Sequence, residues 1–70
     1  MRMTYAMFTS HCFAEMSSCM AQSHGVAKDE ARRLRERAYG VFMGWRVLAG
    51  ANDEIDRYMS DEQKLAALLA

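Results

Sequence analysis

Between Ala27 and Ala49 the apolar residues recur at helical spacing. Ala27, Ala31, Leu34 and Ala38 make one stripe, and Val41, Phe42, Trp45, Leu48 and Ala49 prolong it. The first half of this segment, KDEARRLRER, is charged everywhere off the stripe. Past Tyr39 a second apolar set, Tyr39, Met43 and Val47, runs on the opposite side, with Gly40 and Gly44 between the two. A helix over 27–49 is predicted, charged early and apolar on nearly every side late. Its late half needs neighbours from more than one direction.

A first helix is predicted over about 4–23. Thr4 suits the N-cap, with Met3 and Phe8 as a hydrophobic staple. Tyr5, Phe8, Cys12, Met16, Cys19 and Met20 share a face, with Phe13 at its edge, and Met3, Met7 and Ala14 form a minor second stripe. Residues 2–9 also read as an extended segment, which would start the helix at Thr9 or Ser10. Gly25 is the predicted left-handed residue after this helix, with His24 in its last turn.

The central helix lacks an N-cap residue but carries Asp29 and Glu30 early, and Asp29 with Arg33 makes a stabilising pair one turn apart. Gly50 ends it. Asn52 caps a third helix over about 53–69, whose predicted inner face is Ile55, Tyr58, Met59, Leu65, Ala66 and Leu69. Ser60-Asp61-Glu62-Gln63 resembles a capping box, but one phase through Ser60 accounts for every apolar residue except Leu68, so a single helix is expected. The fold class is all-α: a three-helix antiparallel bundle, or a helical hairpin that completes its core as a homodimer. Residues 1–70 make a single small domain, without repeats or linkers.

Length sharpens this picture. A chain of 70 residues buries only about 60% of its extended surface, so a partner subunit is a common supplement. With 51% hydrophobic residues and no proline, uninterrupted helices are favoured over a cross-linked scaffold. The formal net charge is zero, which leaves no overall field to attract nucleic acid or an anionic membrane. The distribution is polar nonetheless. Residues 28–50 hold six basic and three acidic side chains, net +3, and 51–70 hold two and five, net −3, so the chain can pair with itself.

Thr, Ser and His interrupt residues 2–11 where a secretory leader would be apolar, and no apolar run nears the roughly 20 residues of a membrane span. A cytoplasmic chain is expected. Cys12 and Cys19 agree, since seven helical residues hold them about 10 Å apart, beyond disulfide reach. Seven arginines against two lysines, with abundant alanine, fit a GC-rich bacterial genome or a phage or plasmid of such a host.

Chemistry is sparse. His11, Cys12, Cys19 and His24 are potential metal ligands, but zinc needs two close pairs converging on a point, and Cys12 faces the apolar side while His11 faces away. The cysteines read as small core residues. His11 and Glu15, four apart, are either half a site or a solvated pair. No phosphate loop, nucleophile elbow or His-centred triad is present, so no enzyme, metal or cofactor is expected.

Arg32, Arg33, Arg35 and Arg37 offer an alternative, a nucleic-acid-binding regulator using them as phosphate contacts. Asp29, Glu30 and Glu36 interleave with them, and the helix after Gly50 is acidic where a recognition helix would be basic. The more informative stripe is Arg33, Arg37, Gly40 and Gly44 on one edge of the helix. Two mid-helix glycines give up about 2 kcal/mol relative to alanine. Either the first or third helix crosses there, or a second chain does.

The expected partner-binding residues are therefore Arg33, Arg37, Gly40, Met43, Gly44 and Val47. Seven methionines fit an adaptable docking surface, Met3, Met7 and Met43 being more than one copy can hide. The expected function is a non-enzymatic protein–protein interaction module, a stoichiometric regulator or inhibitor of phage or plasmid type, with a second copy and a further protein as partners. A structural subunit of a larger assembly ranks third.

Overall fold

The computed structural model describes residues 4–50 and 55–70, the side chains of Ile55 and Asp56 excepted. It contains α1 (Tyr5–Gln22), α2 (Lys28–Ala49) and α3 (Ile55–Ala67), with no strand among the described residues.

Helix α1 starts where Thr4 Oγ1 accepts from the Met7 amide at 3.1 Å, so residues from Tyr5 onward are helical, not extended. The other half of the predicted staple, Met3, lies outside the described residues. The end of α1 differs from expectation. No glycine has positive φ, and Gly25 is not a left-handed cap. The chain tightens through successive short bonds, His24 N to Ala21 O at 3.3 Å and Gly25 N to Gln22 O at 3.2 Å. Ser23, buried, donates its hydroxyl to the Met20 carbonyl at 2.6 Å, which makes a left-handed residue unnecessary. His24 falls beyond the last helical turn.

Helix α2 begins at an uncapped Ala27, and Arg32 rather than Arg33 approaches Asp29, at 3.9 Å. Gly50 ends it in a right-handed conformation, for a steric reason: a Cβ there would lie 2.6 Å from the Arg46 carbonyl oxygen. The predicted cap Asn52 lies outside the described residues. Helix α3 is unbroken through Ser60.

Thr9 faces Trp45 and Glu15 faces Arg37, so α1 and α2 form an antiparallel hairpin. Tyr5 meets Asp61 and Glu62 meets Arg46, with Leu69 beside Tyr39, which sets α3 antiparallel to α2 as well. The core lies between them. Cys12, Met16 and Cys19 come from α1, Ala38, Phe42, Trp45 and Ala49 from α2, and Leu65 from α3. Trp45 is fully buried and stacks on Tyr58 with ring centroids 5.0 Å apart. Its Nε1 donates to Thr9 Oγ1 at 2.9 Å.

Four residues of the expected inner faces are not in the core, Ala27 at the uncapped start of α2 among them. Leu48 is 66% exposed and Met59 52%, and Ala66 is exposed too. On α2 the buried stripe is narrower than the apolar one: at about 100° per residue, Leu48 lies about 60° beyond Trp45, past the edge that α1 covers. On α3 the buried face centres on Leu65, so Tyr58, Leu68 and Leu69 pack against the core while Met59 and Ala66 turn aside. Leu68, outside the expected phase, is thus a packing residue.

The molecule is a slab. Its extents are 41 × 27 × 15 Å and its radius of gyration is 12.8 Å, against about 11 Å for a closely packed chain of this length. In so thin a body the side of α2 that faces away from α1 and α3 is covered by none of the described residues.

Candidate interaction face of the second helix

Ala38, Phe42, Trp45 and Ala49 turn inward, and the same 3.6-residue repeat turns Gly40, Met43, Gly44 and Val47 outward. Neither α1 nor α3 crosses the glycines. A Cβ built on Gly40 or Gly44 would meet no atom outside the helix's own backbone within 4 Å. Val47 is 73% exposed and Tyr39 55%, with Met43 at 37%. Gly40, Met43, Gly44 and Val47 make an uncharged strip about two turns long, flanked by Tyr39 toward α3 and by Leu48 toward α1, which stand about 180° apart around the helix.

Ion pairs border the strip on both edges. Arg37 reaches Glu15 of α1 at 2.9 Å, and Arg46 reaches Glu62 of α3 at 3.2 Å. Arg46 also lies 5.8 Å from the Phe42 ring centroid and 3.9 Å from Met43 Sδ. The Tyr58 hydroxyl, and after it Glu62, hold the Arg46 guanidinium above its ordinary pKa, so it stays charged. Exposed pairs of this kind contribute little stability. Their effect is positional: Arg37 is drawn toward α1 and Arg46 toward α3, where Arg46 also rests against Met43 at the edge of the strip.

The expected partner-binding residues thus divide. Gly40, Met43, Gly44 and Val47 share the strip, and Arg33 lies in line with it one to two turns earlier, with no ion pair among the described residues. Arg37 is on the edge and already held by Glu15. Tyr39 and Leu48 are exposed on the two flanks of the strip: Tyr39 is legible in the sequence as part of the outer apolar set, whereas Leu48 belongs to an apolar stripe wider than the face that α1 and α3 cover. Met7 is 48% exposed, in keeping with methionines that one copy leaves uncovered, and Met3 lies outside the described residues.

The four arginines weighed as nucleic-acid contacts do not form a surface. Successive residues rotate by about 100°, so Arg35 and Arg37 point about 160° apart. Arg32 and Arg35 fall on the α3 side and Arg33 and Arg37 on the α1 side, with Arg32 near Asp29 and Arg37 on Glu15. Glu15, four residues after the exposed His11, pairs with Arg37 across the hairpin.

Cys12 and Cys19 are free thiols and buried, and burial pushes the Cys12 thiol above its ordinary 9.0. Among the described residues no three His, Cys, Asp or Glu side chains are grouped to hold a metal ion, and no helix is long and apolar enough to cross a membrane. Compared with family models, curated proteins and solved structures, this all-α helical bundle matches none.

Proposed function

We propose that the chain is a small, non-enzymatic protein–protein interaction module that acts as a stoichiometric regulator or inhibitor through the outer face of α2. The observation that carries this reading is the pair of glycines in open space. Two mid-helix glycines cost about 2 kcal/mol together, which is large for a domain of marginal stability, and no contact among the described residues offsets the loss. A neighbour's backbone pressed against them does. The strip supplies what such a neighbour needs: no side chain at two positions one turn apart, and apolar Met43, Val47 and Leu48 beside them to be removed from water.

The occupant in the absence of another protein is a second copy of the chain. A two-fold pairing puts the same strip on both sides, and the opposite charges of residues 28–50 and 51–70, net +3 and −3, suit an antiparallel crossing. In the cytoplasm of a bacterial host, a helix of the regulated protein would displace that copy. Met43 lets the surface adapt to either.

The face is tested by methyl NMR with a soluble paramagnetic chelate. At millimolar protein the Met43, Val47 and Leu48 methyls are expected to be shielded, and at low micromolar protein to be bleached. Equal bleaching at both concentrations contradicts the proposed face.

A further inference from the structure

A separate concavity lies at the other end of α2. Because α2 runs antiparallel to both neighbours, its N-terminal half meets the last residues of α1 and α3, and the three elements leave a groove of 320 Å³ lined by Met20, Arg32, Arg35, Glu36, Tyr39 and Leu69. Its floor is apolar, formed by half-buried Met20 and Leu69 and by the exposed ring of Tyr39. Arg32 and Arg35 also wall a contiguous depression of 410 Å³ that adds Lys28 and Asp29. Lys28, Arg32 and Arg35 against Asp29 and Glu36 leave a net positive charge, and the uncapped start of α2 adds the positive end of a helix dipole.

We propose that this groove binds a single amphipathic anion: an apolar chain that lies on Met20, Tyr39 and Leu69, ended by a carboxylate or phosphate held between Arg32 and Arg35. Both guanidiniums are available. Arg32 meets Asp29 only at 3.9 Å with both side chains exposed, and Arg35 has no ion pair among the described residues. Guanidinium forks match the planar oxygens of a carboxylate or the edge of a phosphate. A bare anion would leave the apolar floor wet, and a neutral chain would leave the arginines unused. Glu36 on the rim disfavours a head group with more than one binding position. The volume sits at the low end of ligand pockets, about 300–1,000 Å³, so the chain is of medium length, and flexible Met20 adapts to it.

The test is an NMR titration of the full chain with decanoate and decyl phosphate below their aggregation concentrations, with 1-decanol and inorganic phosphate as comparisons. Both amphiphiles are expected to give saturable shifts at the Met20 and Leu69 methyls and at Arg35 Nε. Arg32→Gln with Arg35→Gln should weaken them at least about tenfold with decanol binding and circular dichroism unchanged, and Met20→Gln should weaken the amphiphiles but not phosphate. Equal affinity for decanol, undiminished binding by the arginine variant, phosphate binding as tight as decyl phosphate, or shifts centred on Val47 and Leu48 would each overturn the proposal. Binding confined to phosphatidylglycerol vesicles would overturn it as well, in favour of a membrane surface.

Discussion

Trp45 Nε1 donates to Thr9 Oγ1 at 2.9 Å, and this bond joins the middle of the core to the first helix. An indole as deeply buried as Trp45, which has no exposed surface, needs a partner for its N–H. Thr9→Val keeps the shape and removes the acceptor, and should cost about 1–3 kcal/mol. Thr9→Ser restores it and should recover most of the loss. Urea unfolding followed by Trp45 fluorescence reads both, because the chain has one tryptophan.

Glycine to alanine should have opposite signs at two positions of the same helix. At Gly44 the new methyl meets open space, and the gain in helix propensity should stabilise the single chain by about 0.5–1 kcal/mol. At Gly50 the methyl lands 2.6 Å from the Arg46 carbonyl oxygen, and the strain should destabilise on the order of 1 kcal/mol. Thermal unfolding at micromolar concentration, where association is weakest, measures both.

Helix α3 is anchored by Leu65, which is fully buried, and by Tyr58 stacked on Trp45. Leu65→Ala should cost about 2–5 kcal/mol, enough to release α3 while the α1–α2 hairpin persists. Amide hydrogen exchange should then show protection lost across Ile55–Ala67 and retained in α2. Uniform loss would mean the three helices unfold as one unit.

Alkaline pH should destabilise the fold. Burial raises the Cys12 thiol above 9.0, and burial followed by the hydrogen bond to Asp61 raises Tyr5 above 10.0. A group whose pKa is higher folded than unfolded holds more protons in the native state. Its stabilisation is complete below the unfolded pKa and is lost as pH rises through the folded one. Stability should therefore be flat near neutrality and fall from about pH 9 upward, and the fall should shrink in Tyr5→Phe.

The helices and most of the core were legible because burial at 3.6-residue spacing is a local property. Cys12, Met16 and Cys19, like Ala38, Phe42, Trp45 and Ala49, can be read off the chain without knowing what they touch. What was not legible depends on register. That Thr9 meets Trp45 and Glu15 takes Arg37 follows from the turn over residues 23–27, whose short bonds replace the expected left-handed glycine. Leu48 and Met59 were misplaced because an apolar stripe states which residues prefer burial, whereas the neighbours decide how wide a face is covered. Gly40 and Gly44 were legible as unusual, but only the empty space beside them shows that no helix of the same chain uses them.

The most direct measurement of the role of this face is sedimentation equilibrium of the wild type across a concentration series, beside Gly40→Leu with Gly44→Leu. The wild type is expected to approach twice its 8.0 kDa chain mass, while the double variant, equally helical by circular dichroism, stays at one chain. A wild type that remains at one chain mass at every concentration would contradict self-association through the outer face of α2.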